Sequence, residues 1–358
     1  MEVRITHQLA PTEKNPRNSE GAFIRGKGGE ILFAYSRYGG DSVEDHAACD
    51  IALIVSHDEG ESWSEPRIIA PAAFFGTKNV MSVSALTQKN GDLAFYFLIK
   101  ENDFTTTVGR AVSHDGINFT PERCIADFPP NYYVINNDRL VRLRSGRILA
   151  PAAFITAEEN RDSSTSERRY PYRTTLLYSD DDGASFQSVG WQKVVNNGLS
   201  NDRGLQEPGV IELDGGELFL WMRTAFHSQY EAFSKGDVEC FGEALPGRFT
   251  SPPSPMQIKS YSGETYAVYN PIPRYNGREM LPGTWGRTPI VIRKSVDGGK
   301  TFGALYAIED DPARGYCYPA LFGTRDGRLL VAYCRGGEAD GNTLCRLGIS
   351  EIDIGTIA

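Results

Sequence analysis

The chain has 358 residues, 40% of them hydrophobic and 11% aromatic, with 37 glycines and 20 prolines. Its net charge of −9 argues against nucleic-acid binding as the main task, because such proteins carry a basic footprint. No stretch approaches the roughly 18 consecutive apolar residues of a membrane-crossing helix, while the apolar content is enough for a core.

The opening Met-Glu-Val-Arg-Ile-Thr-His carries no apolar signal segment. That favours the cytoplasm, with secretion left open should a leader have been removed. The first chemistry-bearing stretch, Lys14 to Ile24, is a charged cluster containing Arg17 and Glu20 that runs into an apolar strand. A turn glycine followed by a polar residue and an apolar run comes next (Gly29-Glu-Ile-Leu-Phe), and then Ala34-Tyr-Ser-Arg37. Residues 41–50 form an acidic loop that includes Asp45, and a strand follows it into Ser56-His-Asp58-Glu-Gly60-Glu-Ser-Trp63.

The same two signals then recur. The glycine turn returns at Gly91, Gly146, Gly216, Gly277 and Gly327. The Ser-x-Asp-x-Gly-x-x-aromatic turn returns, one residue short, at Ser113 to Phe119, then at Ser179 to Phe186 and Ser295 to Phe302, with a degraded copy at Ser234 to Phe241. Its Asp is suited to accept backbone N–H groups, its Gly to adopt a conformation other residues resist, and its aromatic to anchor the hairpin. The serines lie 55 to 66 residues apart. Six units of about 60 residues, made of short strands and turns, predict an all-β, six-bladed β-propeller that spans 1–358 as one domain.

Between the turns lie the candidate site residues. Asn131 to Arg139 enters the third unit with a polar tail suited to a pocket, and residues 157–172 read as an exposed, mobile loop. Glu207 begins one strand and Arg223 ends the next, so a hairpin brings a carboxylate and a guanidinium to one rim. The long segment Ala225 to Pro255 is read as irregular and suited to cover a pocket. Arg287 precedes the strand that leads to Ser295, and Tyr316 and Tyr318 open the last unit. The six cysteines form no CxxC pair and the five histidines show no ligand spacing, so nothing here requires a metal or an organic cofactor.

Together these segments resemble the Asp-box sialidases (exo-α-neuraminidases) over nearly the whole chain. The resemblance implies that Tyr318, in Tyr-Pro-Ala-Leu, is the nucleophile, Glu207 its base and Asp45 the acid/base. It also implies that Arg17, Arg223 and Arg287 hold a substrate carboxylate, with Arg37 and Tyr316 as further substrate-binding candidates. Arginine gives fixed, always-charged recognition of a carboxylate, and a neutral tyrosine meets less repulsion beside that carboxylate than an attacking carboxylate would. The implied partner is a glycan ending in an acidic sugar. The context Arg17-Asn-Ser-Glu20 departs from the family's Arg-Ile-Pro. That departure keeps open a second reading, a glycan-binding or divergent propeller acting on a different terminal sugar. The sequence leaves the oligomeric state open.

Overall fold

The protein is described by a computed structural model at residues 1–162, 170–189, 203–234, 238, 240–275 and 277–357. The repeat folds as six sheets, antiparallel except where Ile125–Asp127 pairs in parallel with Ser185–Ser188, that form a six-bladed β-propeller. The first blade runs outward from the inner strand Arg17–Arg25 through Ile31–Tyr38 and Cys49–Ser56 to Arg67–Ala70. The second, fourth and fifth repeat that order, with inner strands Val80–Thr87, Gln206–Glu212 and Gln257–Tyr261. The sixth runs from Cys317–Gly323 to an outer strand taken from the start of the chain, Val3–Leu9, so the two ends of the sequence close the ring.

Six apolar layers hold the ring, one between each pair of adjacent blades. Period-2 alternation makes this possible. Along Ile31–Tyr38, Leu32 and Ala34 face the second blade while Ile31, Phe33 and Tyr35 face the sixth. This strand is therefore apolar on both faces, as a central layer of a stack must be.

In the first, second, third and fifth blades the Asp turn lies at the end opposite the one where the inner strand begins. Each inner strand runs to a hairpin turn, the second strand returns, and the third runs down again, in the first, second, third and fifth blades to an Asp turn. The start of every inner strand and every connection from second to third strand thus share one face. Arg17, Asp45, Glu207, Arg223, Arg287 and Tyr318 all stand on it.

Two local readings are corrected. In the fifth blade the inner hairpin turns at Ser262 and Gly263, not at Gly277, which lies in the connection from Glu264–Tyr269 to Ile290–Ser295. There Arg278 donates to the carbonyls of Ile272, Pro273, Gly286 and Thr288 and organises a loop rather than a strand. The stretch 225–255 is not irregular throughout, since it contributes the strands Ser228–Phe233 and Leu245–Thr250. Residues 157–162 of the predicted exposed loop form a short helix, whereas 163–169 lie outside the described residues, as do 235–237 and 239 of the degraded Asp turn.

Candidate active site

The site is built on a bulge that recurs in the inner strands. In the first blade Ser19 faces Ser36 and Ala22 faces Ala34, so Glu20 and Gly21 together oppose Tyr35. In the fourth, Gln206 faces Arg223 and Gly209 faces Trp221, which leaves Glu207 and Pro208 opposite Met222. In the sixth, Cys317 faces Cys334 and Ala320 faces Ala332, which leaves Tyr318 and Pro319 opposite Tyr333. Two residues against one is the pattern that re-aims a side chain, and a proline fits where the ladder gives up a bond.

The first residue of each bulge sits in the left-handed region: Glu20 at φ 57°, Ser82 at 63°, Glu207 at 47° and Tyr318 at 55°. Asp138 of the third blade, at 55°, is the equivalent where that inner strand is interrupted between Tyr132–Val134 and Val141–Arg142. Such conformations cost non-glycine residues about 1–3 kcal/mol each and gather at functional sites.

Tyr318 donates its phenol proton to Glu207 Oε1 at 2.9 Å, and Arg223 Nη1 meets Glu207 Oε2 at 2.8 Å. Glu207 and Arg223 are both buried. Burial by itself would raise the Glu207 pKa, but Arg223, then Arg287 and the Tyr318 hydroxyl, outweigh it and hold the carboxyl below its usual range. Burial first, then the Glu207 and Glu20 carboxylates, push the Tyr318 phenol well above its usual value. The resting pair is therefore a neutral phenol on an ionised carboxylate.

Arg287 lies between two rings, with Cζ 5.0 Å from the centroid of Trp285 and 6.0 Å from that of Tyr318. One of its nitrogens, Nη2, donates to the Pro253 carbonyl at 3.1 Å, while Nε and Nη1 are buried without a hydrogen-bond partner among the described residues. Arg223 Nε is in the same condition. Donors of this kind are costly unless a ligand completes them.

The first-blade residues form an adjoining cluster. Arg17 is 1% exposed and stacks 4.2 Å from the Tyr38 ring centroid. Its guanidinium donates to Ser19 Oγ at 3.1 Å, to the Val43 carbonyl at 2.9 Å, to Asp45 Oδ1 at 2.7 Å and to Glu20 Oε1 at 3.0 Å. Asp45 is half exposed, on a loop that Asn79 and Lys100 of the second blade grip through the Asp45 carbonyl. Glu20 links this cluster to the rest, since its charge acts on Tyr318 and the Glu207 charge acts on Glu20.

Two predicted residues are elsewhere. Tyr316, just before the strand Cys317–Gly323, is fully buried in the layer between the fifth and sixth blades, edge-on to Tyr333. Arg37 shares a strand face with Tyr35, toward the sixth blade, whereas Arg17 packs on Tyr38 of the opposite face. Sequence reasoning passed over Ser82, which donates to Glu20 Oε2 at 2.5 Å. It also passed over Trp285, 39% exposed, beside Arg287. Arg139, buried 5.5 Å from the Trp221 ring centroid, has its pKa pushed down to about 10 by burial, against the pull of Glu207, Asp138 and Tyr318. A signal existed for the bulge positions: Glu20, Ser82, Glu207 and Tyr318 each stand nine residues before a turn glycine, and Asp138 eight.

Residues 29–331 match the profile of the BNR repeat-like domain family. No curated protein sequence matches the chain. Among solved structures, the Hadza microbial sialidase Hz136 is similar with a TM-score of 0.71 at 15% identity, the match covering 96% of this chain and 66% of that one. The intramolecular trans-sialidase from Ruminococcus gnavus, solved with oseltamivir carboxylate, gives 0.70 at 12% identity, over 98% and 97% of the two chains. A protein of unknown function from Dyadobacter fermentans gives 0.68 at 18% identity, over 98% and 99%. At these identities the likeness is one of fold.

Proposed function

The chain belongs to the family of BNR repeat-like domains, and from that membership and its site we propose a retaining exo-glycoside hydrolase of sialidase type. It releases a terminal sialic acid or related acidic sugar from a glycan. The observation that carries this reading is the hydrogen-bonded chain Tyr318–Glu207–Arg223, assembled from two different blades, with Arg287 from a third beside it. The sialidase neighbours add support at the level of fold.

In this reading Arg223 and Arg287 hold the substrate carboxylate with the N–H groups that have no partner among the described residues. Glu207 takes the phenol proton as Tyr318 Oη attacks the anomeric carbon. The glycosidic C–O bond breaks, and Asp45 gives a proton to the departing oxygen. Asp45 then takes a proton from water, whose oxygen attacks the same carbon from the vacated side. The tyrosyl bond breaks and Glu207 returns the proton to Tyr318. Two displacements leave the configuration retained, and a tyrosine nucleophile is the known exception to the two-carboxylate scheme. Proton transfer by a positioned group contributes about 10²–10⁴-fold.

The test is release of a fluorogenic aglycone from an α-sialoside by the native chain and by Tyr318→Phe. The native chain is expected to turn over, and the variant to lose about 10³-fold or more while its thermal melt stays close to native. Equal release by both would remove Tyr318 as nucleophile. Release by neither would sink the sialoside reading.

A further inference from the structure

We infer that Glu20 is an internal anion that closes Arg17 to substrate, so that the site engages a substrate carboxylate with Arg223 and Arg287 alone. This rests on the acidic-sugar reading above and narrows it.

A guanidinium has five N–H donors, and recognition of a carboxylate takes two of them in parallel. Four acceptors of the chain itself already face Arg17: Ser19 Oγ, the Val43 carbonyl, Asp45 and Glu20. The ring of Tyr38 covers one face of the group, and Arg17 is 1% exposed. No parallel pair of donors remains for a ligand. Glu20 is itself 3% exposed, and its second oxygen takes the Ser82 hydroxyl at 2.5 Å. Its backbone is held at φ 57° to put it there. It stands at the same bulge position in its blade as Glu207 and Tyr318 do in theirs, so its carboxylate is aimed at the axis by the same device.

Arg223 and Arg287 are the opposite case, buried yet with three N–H-bearing nitrogens between them that have no hydrogen-bond partner among the described residues. The site is therefore polarised. The fourth- and fifth-blade side offers cationic donors next to Tyr318, and the first-blade side offers the Glu20 carboxylate and the carboxyl group of Asp45. The substrate class that fits is a terminal glycoside with one carboxylate beside the bond to be cleaved and hydroxyl donors, not a second negative charge, toward the first blade. Glu20 is then a specificity-determining residue.

The experiment is calorimetric titration of the full chain with free N-acetylneuraminic acid, run beside the fluorogenic assay. Glu20→Gln keeps the shape and hydrogen-bonding capacity of the side chain and removes its charge. Removing one like charge near the bound carboxylate, and leaving Arg17 less neutralised, is expected to tighten binding about tenfold. Glu20→Ala should tighten it at least as much, and Arg287→Lys should weaken it by a similar factor. Thermal melts check folding, and the glutamine variant decides if the alanine variant does not fold. Unchanged or weaker binding by Glu20→Gln, with sialoside turnover intact, overturns this inference and leaves the proposed function standing. Absence of both turnover and binding in every form overturns both.

Discussion

At the scale of single residues, the environment of Glu207 decides how the site meets pH. A base must be ionised to accept the Tyr318 proton, and two arginines hold Glu207 below the ordinary glutamate value of about 4.3. The acid limb of kcat/KM, which reports the free enzyme, is therefore expected below that value. Arg287→Gln removes one of the cations responsible, so the limb should move to higher pH even as binding weakens. A pH profile of the variant that overlays the native one would show that Arg287 does not act on Glu207. The residues of this pair were legible in the sequence because their chemistry is tied to strand ends: Glu207 opens one strand and Arg223 closes the next, in direct register neighbourhood. Glu20 was visible only as a charge beside Arg17. Its role needed the bulge that turns it onto Arg17 and Ser82, which no charge pattern encodes.

At the scale of the element, the Asp turn is a closed hydrogen-bond circuit. In the copy at Ser295, the serine hydroxyl meets Asp297 at 2.6 Å and accepts from Gly299 N at 2.9 Å, while Asp297 accepts from Thr301 N at 2.8 Å and from its hydroxyl at 2.6 Å. Ser56, Ser113 and Ser179 head the same circuit, with Gly116 one position earlier in the short copy. The aromatics end in the layer toward the preceding blade, Phe186 against Tyr96 and Phe302 against Phe249. This was legible because every step is local. The fifth-blade inner turn was not, because Ser262-Gly263 is too short a signal beside the more suggestive Gly277.

The circuit also makes a pH prediction. Burial is the largest single effect on Asp58 and Asp181 and raises them, but backbone and hydroxyl donors together outweigh it, and such donors lead at Asp115 and Asp297, so all four lie below the usual aspartate range. A carboxyl depressed in the folded state stabilises it above the unfolded value of about 3.9, and that contribution is lost as pH falls through the folded value. Melting temperature should thus hold between pH 7 and 5 and fall steadily below about 4. Asp297→Asn should lower the neutral-pH melt slightly and flatten the acid decline. An acid decline as steep in a variant lacking all four carboxylates would assign it to other groups.

At the scale of the whole molecule, six blades must be held to one another by polar contacts as well as by the apolar layers between them. The interrupted inner strand of the third blade does this. Asn137 donates to the Gly21 carbonyl of the first blade at 3.0 Å and to the Tyr318 carbonyl of the sixth at 3.1 Å. Asp138 accepts from Leu321 N of the sixth blade at 3.1 Å and from Gln257 of the fifth at 3.0 Å, and pairs with Lys259 at 2.5 Å. One segment thus binds three other blades, the strand that carries Tyr318 among them, which explains why its ladder is given up from Ile135 to Leu140. Asp138→Ala would leave the Leu321 amide and the Lys259 ammonium without the Asp138 carboxylate, while the Gln257 amide keeps the backbone carbonyl of residue 138. Breaking such a buried pair costs about 3–5 kcal/mol, and the lower end applies because Lys259 is 31% exposed. A melting temperature lowered by about 5 °C is expected. Faster hydrogen exchange at the Leu321 amide should accompany it, and with it a loss of turnover larger than the loss of folded protein, since Tyr318 is three residues away on the same strand. A variant that melts within a degree of the native chain and keeps the Leu321 amide protected would mean that the apolar layers alone hold the ring.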